Sequence, residues 1–534
     1  MRDVISALHE RAEAFPDEVF CRLLAEGRES VFSNARALEA SRRWARLFRS
    51  RNVAPGAPVV IILRHASDLY FAFLGAMLAG CAPSFMPSPS SKQDPELYWS
   101  QHQAVFARIG VAAVVTYPEN LAPLAAHCPG LTVFTAQDLG DGPCEPDRPA
   151  VRGEDIAFLQ HSSGTTGLKK GVLLSYGAVA GQVERYAQAL RLERGDVVVS
   201  WLPLYHDMGL VACFMLPLTL GLPIVSLDPF EWAARPQILF EAIQAHGGTH
   251  VWLPNFAFHH LCRTVAPEFS ADLSGVKAFI DCSEPCRIET LELFAQSFAR
   301  LGVRPDQCRI CYAMAETVFA VTQTPADGTV AALEHEGRKI PSVGRPIRDV
   351  QLRVLGTSGD ALPDGQAGEV CVRAPFLFSG YHRDPELTAR KLQDGWYSTG
   401  DLGLLRDGEL YLLGRTDDLI ILNGRNVLAH DVEFAINAQV PQVKPGRCIA
   451  LGVFEAEVGS QELVVLAEAA PGPDPRGLAR QIRAAVFNEL GLMPKTVQAV
   501  PPGWLVKTTS GKLARRLNLG KYLAQKAKEP TPAP

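Results

Sequence analysis

The sequence predicts an α/β architecture: a large N-terminal domain of mixed, mostly parallel sheets flanked by helices, then a small β subdomain and an α+β C-terminal domain. Up to about Phe279, short β-branched runs alternate with longer helical patterns, the pattern of a parallel sheet covered by helices. From Val350 to Val372 the texture changes to short strands separated by Gly- and Pro-bearing turns such as Leu362-Pro363-Asp364-Gly365. After Gly414-Arg415-Thr416-Asp417-Asp418 enough chain remains for one more small domain, and 534 residues exceed what a single ordinary core holds. The expected limits are 1–413 for the N-terminal domain, with the β subdomain at about 340–413, and 418–526 for the C-terminal domain. The charged, proline-rich end at 527–534 is expected to be disordered.

The first strand signal is Val59-Val60-Ile61-Ile62-Leu63. The charge-free run Leu69 to Met86 meets the lower length limit for a membrane span, but Gly75, Gly80 and Pro83 interrupt it. It reads as a buried helix ending near Gly80 and followed by a strand. Further strand candidates are Ala112-Ala113-Val114-Val115-Thr116, Val197-Val198-Val199-Ser200-Trp201 and Lys277-Ala278-Phe279-Ile280. Leu210 to Leu227 is also apolar, but Pro217 and Pro223 exclude one continuous helix. Ligands of such sheets bind beyond the carboxyl ends of the strands.

Net charge is −5, so the chain lacks the positive surplus of a nucleic-acid binder, and no nucleic-acid partner is expected. Twelve cysteines are scattered without a dense framework, and no charged leader with an apolar segment opens the sequence. A reducing cytoplasm is the expected setting. Cys308-Arg309-Ile310-Cys311 lacks a second pair at zinc spacing and reads as buried strand cysteines.

Phe158-Leu159-Gln160 looks like a strand end, and it delivers Ser162-Ser163-Gly164-Thr165-Thr166-Gly167-Leu168-Lys169-Lys170-Gly171. Glycines let backbone N–H groups approach phosphates, hydroxyls add donors and lysine adds charge. The spacing is not that of the G-x-x-x-x-G-K-[ST] loop, and a flexible polar turn fits the loop alone equally well.

This loop resembles the signature of the adenylate-forming superfamily of acyl-CoA synthetases, luciferases and nonribosomal adenylation domains. Five further segments resemble that family's motifs in order: Leu204-Tyr205-His206-Asp207-Met208-Gly209, Tyr312-Ala313-Met314-Ala315-Glu316-Thr317, Tyr397-Ser398-Thr399-Gly400-Asp401, Gly414-Arg415-Thr416-Asp417-Asp418 and Thr509-Ser510-Gly511-Lys512. The chemistry brings a carboxylate to the α-phosphorus of ATP, so cations and oriented donors must offset the repulsion of two anions. The resemblance implies that Glu316 holds Mg²⁺, that Thr317, Ser162, Ser163, Gly164, Thr165, Thr166 and Gly167 surround phosphates, and that Lys170 adds charge. Lys512 would bridge substrate carboxylate and α-phosphate, Asp401 and Arg415 would hold the ribose, and Tyr312 would stack on adenine. Asp417 occupies the hinge position of 414–417, about which a mobile C-terminal domain rotates, and Gly424 would face the acceptor tunnel. His206 would gate that tunnel.

Trp252-Leu253-Pro254-Asn255-Phe256-Ala257, Ser283-Glu284-Pro285-Cys286-Arg287, Asp407-Gly408-Glu409-Leu410-Tyr411 and Gly424-Arg425-Asn426 are most similar to the fatty acyl-AMP ligase branch. Ser283, Glu284 and Pro285 would border the nucleotide; Trp252, Asn255, Phe256 and Ala313 would wall the acyl pocket, with His259 and Cys282 nearby. Three positions depart from the family pattern: Lys169 for a usual proline, Ala313 for a usual glycine and Ala429 for a common proline. The interval Thr317 to Gly344 is also short for the insertion that disfavours CoA in that branch. The resulting expectation is an enzyme that activates an apolar carboxylic acid with ATP and Mg²⁺ and loads the phosphopantetheine thiol of an acyl carrier protein in a secondary-metabolite pathway. Transfer to CoA, or a catalytically silent nucleotide- or acyl-binding regulator, are the alternatives. The basic C-terminal residues Lys507, Lys512, Arg515, Arg516, Lys521, Lys526 and Lys528 suit either an acidic carrier surface or a solvated helix face.

Overall fold

The computed structural model describes residues 2–89, 94–142, 150–162, 170–335, 337–422, 425–455, 460–469, 474–507 and 513–526. Two compact units emerge. The first takes the described residues up to Ser162, those from Lys170 to Thr399, and Gly403–Leu412; the second holds Gly400–Leu402 and the described residues from Leu413 onward. The expected tail at 527–534 lies outside the described residues.

Among the described residues, the first unit is built on a nine-stranded sheet in the order Arg345–Pro346, Ala320–Gln323, Cys308–Ala313, Ala278–Cys282, His250–Leu253, Val198–Ser200, Ile224–Leu227, Val19–Ala25 and Arg28–Ser33. The central strands are parallel. Antiparallel strands close both edges. A four-stranded sheet of Ala82–Phe85, Pro58–Ile61, Ala113–Val115 and Val133–Phe134 is parallel throughout. The strand signals at Val59 and Ala112 therefore belong to a different sheet from those at Val197 and Lys277. All are buried on both faces, which explains their continuous rather than alternating apolar character.

The charge-free run folds as helix Asp68–Leu78, a turn at Gly80 and strand Ala82–Phe85. Every residue from Tyr70 to Leu78 is buried. Gly75 is needed because a Cβ there would meet Trp44 Cβ at 2.4 Å and Ser41 O at 2.7 Å on helix Asn34–Ser50. Among the described residues, no helix is long and apolar enough to cross a membrane. Leu210 to Leu227 breaks as the prolines require, into a π-helical Met208–Met215, a short helix Leu216–Leu220 that starts at Pro217, and strand Ile224–Leu227. Cys308 and Cys311 sit on one strand, and their thiols enter opposite core faces.

The turn-rich region forms a sheet of Gln351–Leu355, Gly368–Arg373, Trp396–Arg406 and Leu392–Gln393, with Glu409–Arg415 paired to Trp396–Arg406. Between Thr317 and Gly344 lie strand Ala320–Gln323 and the hairpin Ala332–His335/Arg338–Pro341.

The second unit has a hairpin, Leu419–Leu422/Arg425–Leu428, and a sheet of Val443–Glu455, Ser460–Ala469 and Thr496–Val500. Helices Ala429–Gln439 and Pro475–Leu490 pack on that sheet around Val432, Ile436, Ile482 and Val486. Arg515, at the start of helix Arg515–Lys526, ties the unit together through Asp418 at 2.9 Å, Glu433 at 2.5 Å and the Ala450 carbonyl at 2.7 Å.

Candidate active site

Four neighbouring parallel strands of the first unit end at one edge of the nine-stranded sheet, and each delivers a segment singled out in the sequence. Val198–Ser200 leads to His206 and Asp207; His250–Leu253 leads to Pro254, Asn255 and Phe256. Ala278–Cys282 leads to Ser283, Glu284 and Pro285; Cys308–Ala313 leads to Met314 through Thr317. That edge is where the crossover rule places a ligand site.

The loop flanks are antiparallel. Strand Ile156–Ser162, which extends two residues beyond its sequence signal at each end, pairs with Lys170–Ser175, with Ser162 opposite Lys170. Ser163, Gly164, Thr165, Thr166, Gly167 and Lys169 lie outside the described residues, as do Gly424 and Lys512. Gly380–Tyr381 adds to the same sheet, with Tyr381 opposite Val172. This pairing carries Tyr381 to Glu316, where its hydroxyl donates to Oε1 at 2.7 Å. The Tyr397 hydroxyl is 3.4 Å from that of Tyr381, and the Phe378 N–H donates to Glu316 O at 2.9 Å. The Lys170 ammonium sits 5.3 Å from the centre of the Tyr381 ring. Lys170, Tyr381, Tyr397 and Glu316 are thus one assembly. Burial, and next the Glu316 carboxylate, push the Tyr397 phenol well up, so it stays a neutral donor.

Glu316 is itself buried, and among the described residues Oε2 has no hydrogen-bond partner. One held and one available oxygen on a single carboxylate suits Mg²⁺, which takes few protein ligands and completes its shell with phosphates and water. Thr317 is fully buried, its hydroxyl 3.0 Å from Met314 O and 2.7 Å from Phe319 O. It closes the turn that presents Glu316 and does not face open space. Val318 follows at φ 64° and Ser283 stands at φ 74°, conformations costly for side-chain-bearing residues and worst for a β-branched one.

His206 Nδ1 lies 2.6 Å from Asp207 Oδ1, and the Met208 N–H donates to the same oxygen at 2.8 Å, fixing the ring at the start of the π-helical segment. Phe256 N–H donates to Glu284 Oε2 at 3.1 Å, joining two adjacent strand-end loops. Phe256 is exposed, while Asn255 Oδ1 is buried with no partner among the described residues. Ala313 is half-buried. Tyr312 is buried in the core on the sheet face opposite Trp252.

Trp252 is held within the core. It is 0% exposed, and its indole N–H donates to the Tyr186 hydroxyl at 2.9 Å, which in turn donates to Gln323 Oε1 at 3.0 Å. That relay anchors the indole in the core. Sequence reasoning missed Tyr381, which carries no motif, and Tyr397, which stands inside one without an assigned role. It also missed Asp281, fully buried beside Cys286 at a strand end; neither carboxyl oxygen has a hydrogen-bond partner among the described residues, and burial pushes the acid well up.

In the second unit, Arg415 Nε lies 3.0 Å from Asp401 Oδ1, and the Thr416 hydroxyl donates to Gly400 O at 3.0 Å. The two ribose-side candidates are therefore adjacent. Asp417 lies in the turn Thr416–Asp418, 3.7 Å from Arg516.

A buried carboxylate beyond a strand end, with an ammonium and two tyrosine hydroxyls packed beside it, suits an ATP-using adenylating enzyme. The model of the AMP-binding enzyme family matches residues 8–382, and the chain belongs to that family. It is 29% identical to the long-chain-fatty-acid–AMP ligase FadD32 of Mycolicibacterium smegmatis, covering 90% of this chain and 88% of that protein. It is 30% identical to the medium-chain-fatty-acid–[acyl-carrier-protein] ligase JamA of Moorena producens, over 70% and 69%. A solved structure from studies of fatty acyl-adenylate ligases of E. coli and L. pneumophila superposes with a TM-score of 0.89 at 25% identity, covering 99% of both chains.

Proposed function

We propose that this protein joins an apolar, fatty-type carboxylic acid to AMP and then passes the acyl group to the phosphopantetheine thiol of an acyl carrier protein. A carboxylate oxygen of the acid attacks the α-phosphorus, the α–β anhydride bond breaks and pyrophosphate leaves. The thiol then attacks the acyl carbonyl, and AMP leaves. The assembly of Lys170, Tyr381 and Glu316 beside the strand ends is the observation that supports this reading most. The names of FadD32 and JamA supply the acid class and the carrier.

In this reading Glu316 holds Mg²⁺, whose charge offsets that of the triphosphate, while Tyr381 keeps the carboxylate oriented. Thr317 positions Glu316 through its turn. Lys170 and the loop from Ser162 to Gly167 bind phosphates, Tyr312 and Ser283-Glu284-Pro285 border the base, and Asp401 with Arg415 binds the ribose. Lys512 stabilises the charge developing at the α-phosphate, and Asp417 is the hinge. His206 and Gly424 flank the thiol's approach; Asn255, Phe256 and Ala313 border the acyl group. The eleven described cysteines are unbridged, which suits the cytoplasm.

The test is acid-dependent ATP–pyrophosphate exchange over a panel of acids, followed by mass spectrometry of the acceptor. Exchange with no acid would overturn adenylation. Thioester formation with CoA as fast as with carrier protein would overturn the carrier assignment.

A further inference from the structure

A cavity of about 320 Å³ opens on the first unit, and guanidinium groups dominate its lining: Arg185, Arg191, Arg345 and Arg348, with Asp327 as the acidic member. The chain carries a net charge of −5, so this concentration of arginine does not follow from composition. Around the cavity, Arg185 pairs with Asp349 at 2.7 Å, Arg191 with Asp327 at 2.7 Å, Arg348 with Glu184 at 2.6 Å and Arg345 with Glu409 at 3.5 Å. The Arg191–Asp327 and Arg348–Glu184 pairs are largely solvent-exposed, so each is weakly held and open to exchange for a better anion.

A fifth guanidinium stands behind the wall. Arg309 is buried, and its hydrogen bonds go to the carbonyls of Ala326 at 2.6 Å and Asp306 at 3.5 Å; among the described residues no carboxylate lies within ion-pair distance. Ala326 lines the cavity. A buried cation with only carbonyl partners is costly unless a counter-charge arrives. Two strained positions hold the cluster in place. Arg191 caps helix Tyr176–Leu190 at φ 55°, where glycine would cost less, and Asp349, which orients Arg185, stands at φ 64°.

We propose that this cavity binds a small ligand through a phosphoryl group, whose oxygens accept paired N–H donors from Arg185, Arg191 and Arg348. Planar guanidinium forks match phosphate oxygens two at a time, and the volume lies at the small-molecule end of the range for binding pockets. Gln323 also lines the cavity, and it accepts the hydrogen bond from Tyr186, which holds Trp252. Occupancy thus bears on the strand that leads into Asn255 and Phe256.

The experiment is calorimetric titration of the full-length protein and of an R191Q/R348Q double variant with inorganic phosphate, pyrophosphate and glycerol 3-phosphate, with glycerol as the uncharged control. Both substitutions lie outside the residues assigned to adenylation, so pyrophosphate bound at the reaction site contributes equally to both proteins. The expected result is a binding event that the double variant weakens at least ~10-fold, and that weakens with salt, at unchanged melting temperature. Preference for phosphate and pyrophosphate assigns a free oxyanion; preference for glycerol 3-phosphate assigns a phosphate ester. Equal binding by both proteins, or no heat from any phosphorylated probe, overturns the proposal. R348Q alone provides the same comparison should the double variant fail to fold.

Discussion

The same parallel strands end very differently at their two edges. At the amino edge, Asp196, Thr249, His250 and Lys277 form a compact cluster: Lys277 Nζ lies 2.8 Å from Asp196 Oδ1, Thr249 Oγ1 lies 2.9 Å from His250 Nδ1, and the Asp196 and His250 side chains are about 1% exposed. At the carboxyl edge stand Glu316 with an available oxygen, Asn255 with a buried acceptor to spare, and backbone strained at Ser283 and Val318. One edge pairs its charged groups with one another, and the other keeps a carboxylate oxygen and an amide oxygen for a ligand.

Substitutions should separate these edges cleanly. The largest effect is expected from Lys512→Ala or Glu316→Gln, each lowering pyrophosphate exchange at least ~10²-fold, the scale of one preorganised charge or donor. Urea midpoints should stay put; unchanged exchange would erase the contrast. Next comes pH. Burial holds the His250 imidazole at a pKa of about 4, with Asp196 pulling it up and Lys277 and Arg309 pushing it down, against 6.5 for an exposed ring. The unfolded chain takes that proton near pH 6.5 and the folded one only near 4. Stability is therefore full above pH 6.5 and declines by on the order of 3 kcal/mol toward pH 4. Urea unfolding at pH 7.5 and pH 5 checks this, and His250→Gln should flatten the slope. Asp196→Ala removes the buried carboxylate beside Lys277 and His250 and should cost roughly 2 kcal/mol at pH 7.5, with turnover per folded molecule unchanged. The smallest change is Tyr381→Phe, which removes one hydrogen bond to Glu316. Its expected signature is an exchange rate reduced by about 3–10-fold, as befits ~1 kcal/mol, and a higher Mg²⁺ requirement at unaltered melting temperature. A melting shift without a Mg²⁺ effect would make Tyr381 structural.

Much of this architecture was legible from residue patterns. Gly80 and the two prolines at 217 and 223 cut the apolar runs where the chain turns, because neither residue type continues those elements. The ordered segments from His206 to Glu316 named the strand-end loops that the sheet brings together. Sheet order was not legible, since buried parallel strands are apolar on both faces and carry no mark of their neighbours. For the same reason Val251-Trp252-Leu253 could not say which way its indole points. Tyr381 stands 65 residues from Glu316 in sequence and reaches it only through pairing with Val172. Lys512, Gly424 and most of the loop remain expectations drawn from resemblance alone.

The hairpin that flanks the loop has a consequence for how nucleotide affinity responds to solvent. Lys170 opens a strand, and the next helix begins only at Tyr176, so no helix amino terminus stands at the loop's exit. A phosphate cradle fed by a helix draws on fixed backbone dipoles that bulk ions screen poorly; one fed by lysine draws on a charge at the end of a flexible stem. Affinity for ATP in this protein should accordingly track ionic strength more steeply than in enzymes whose phosphate loop runs straight into a helix.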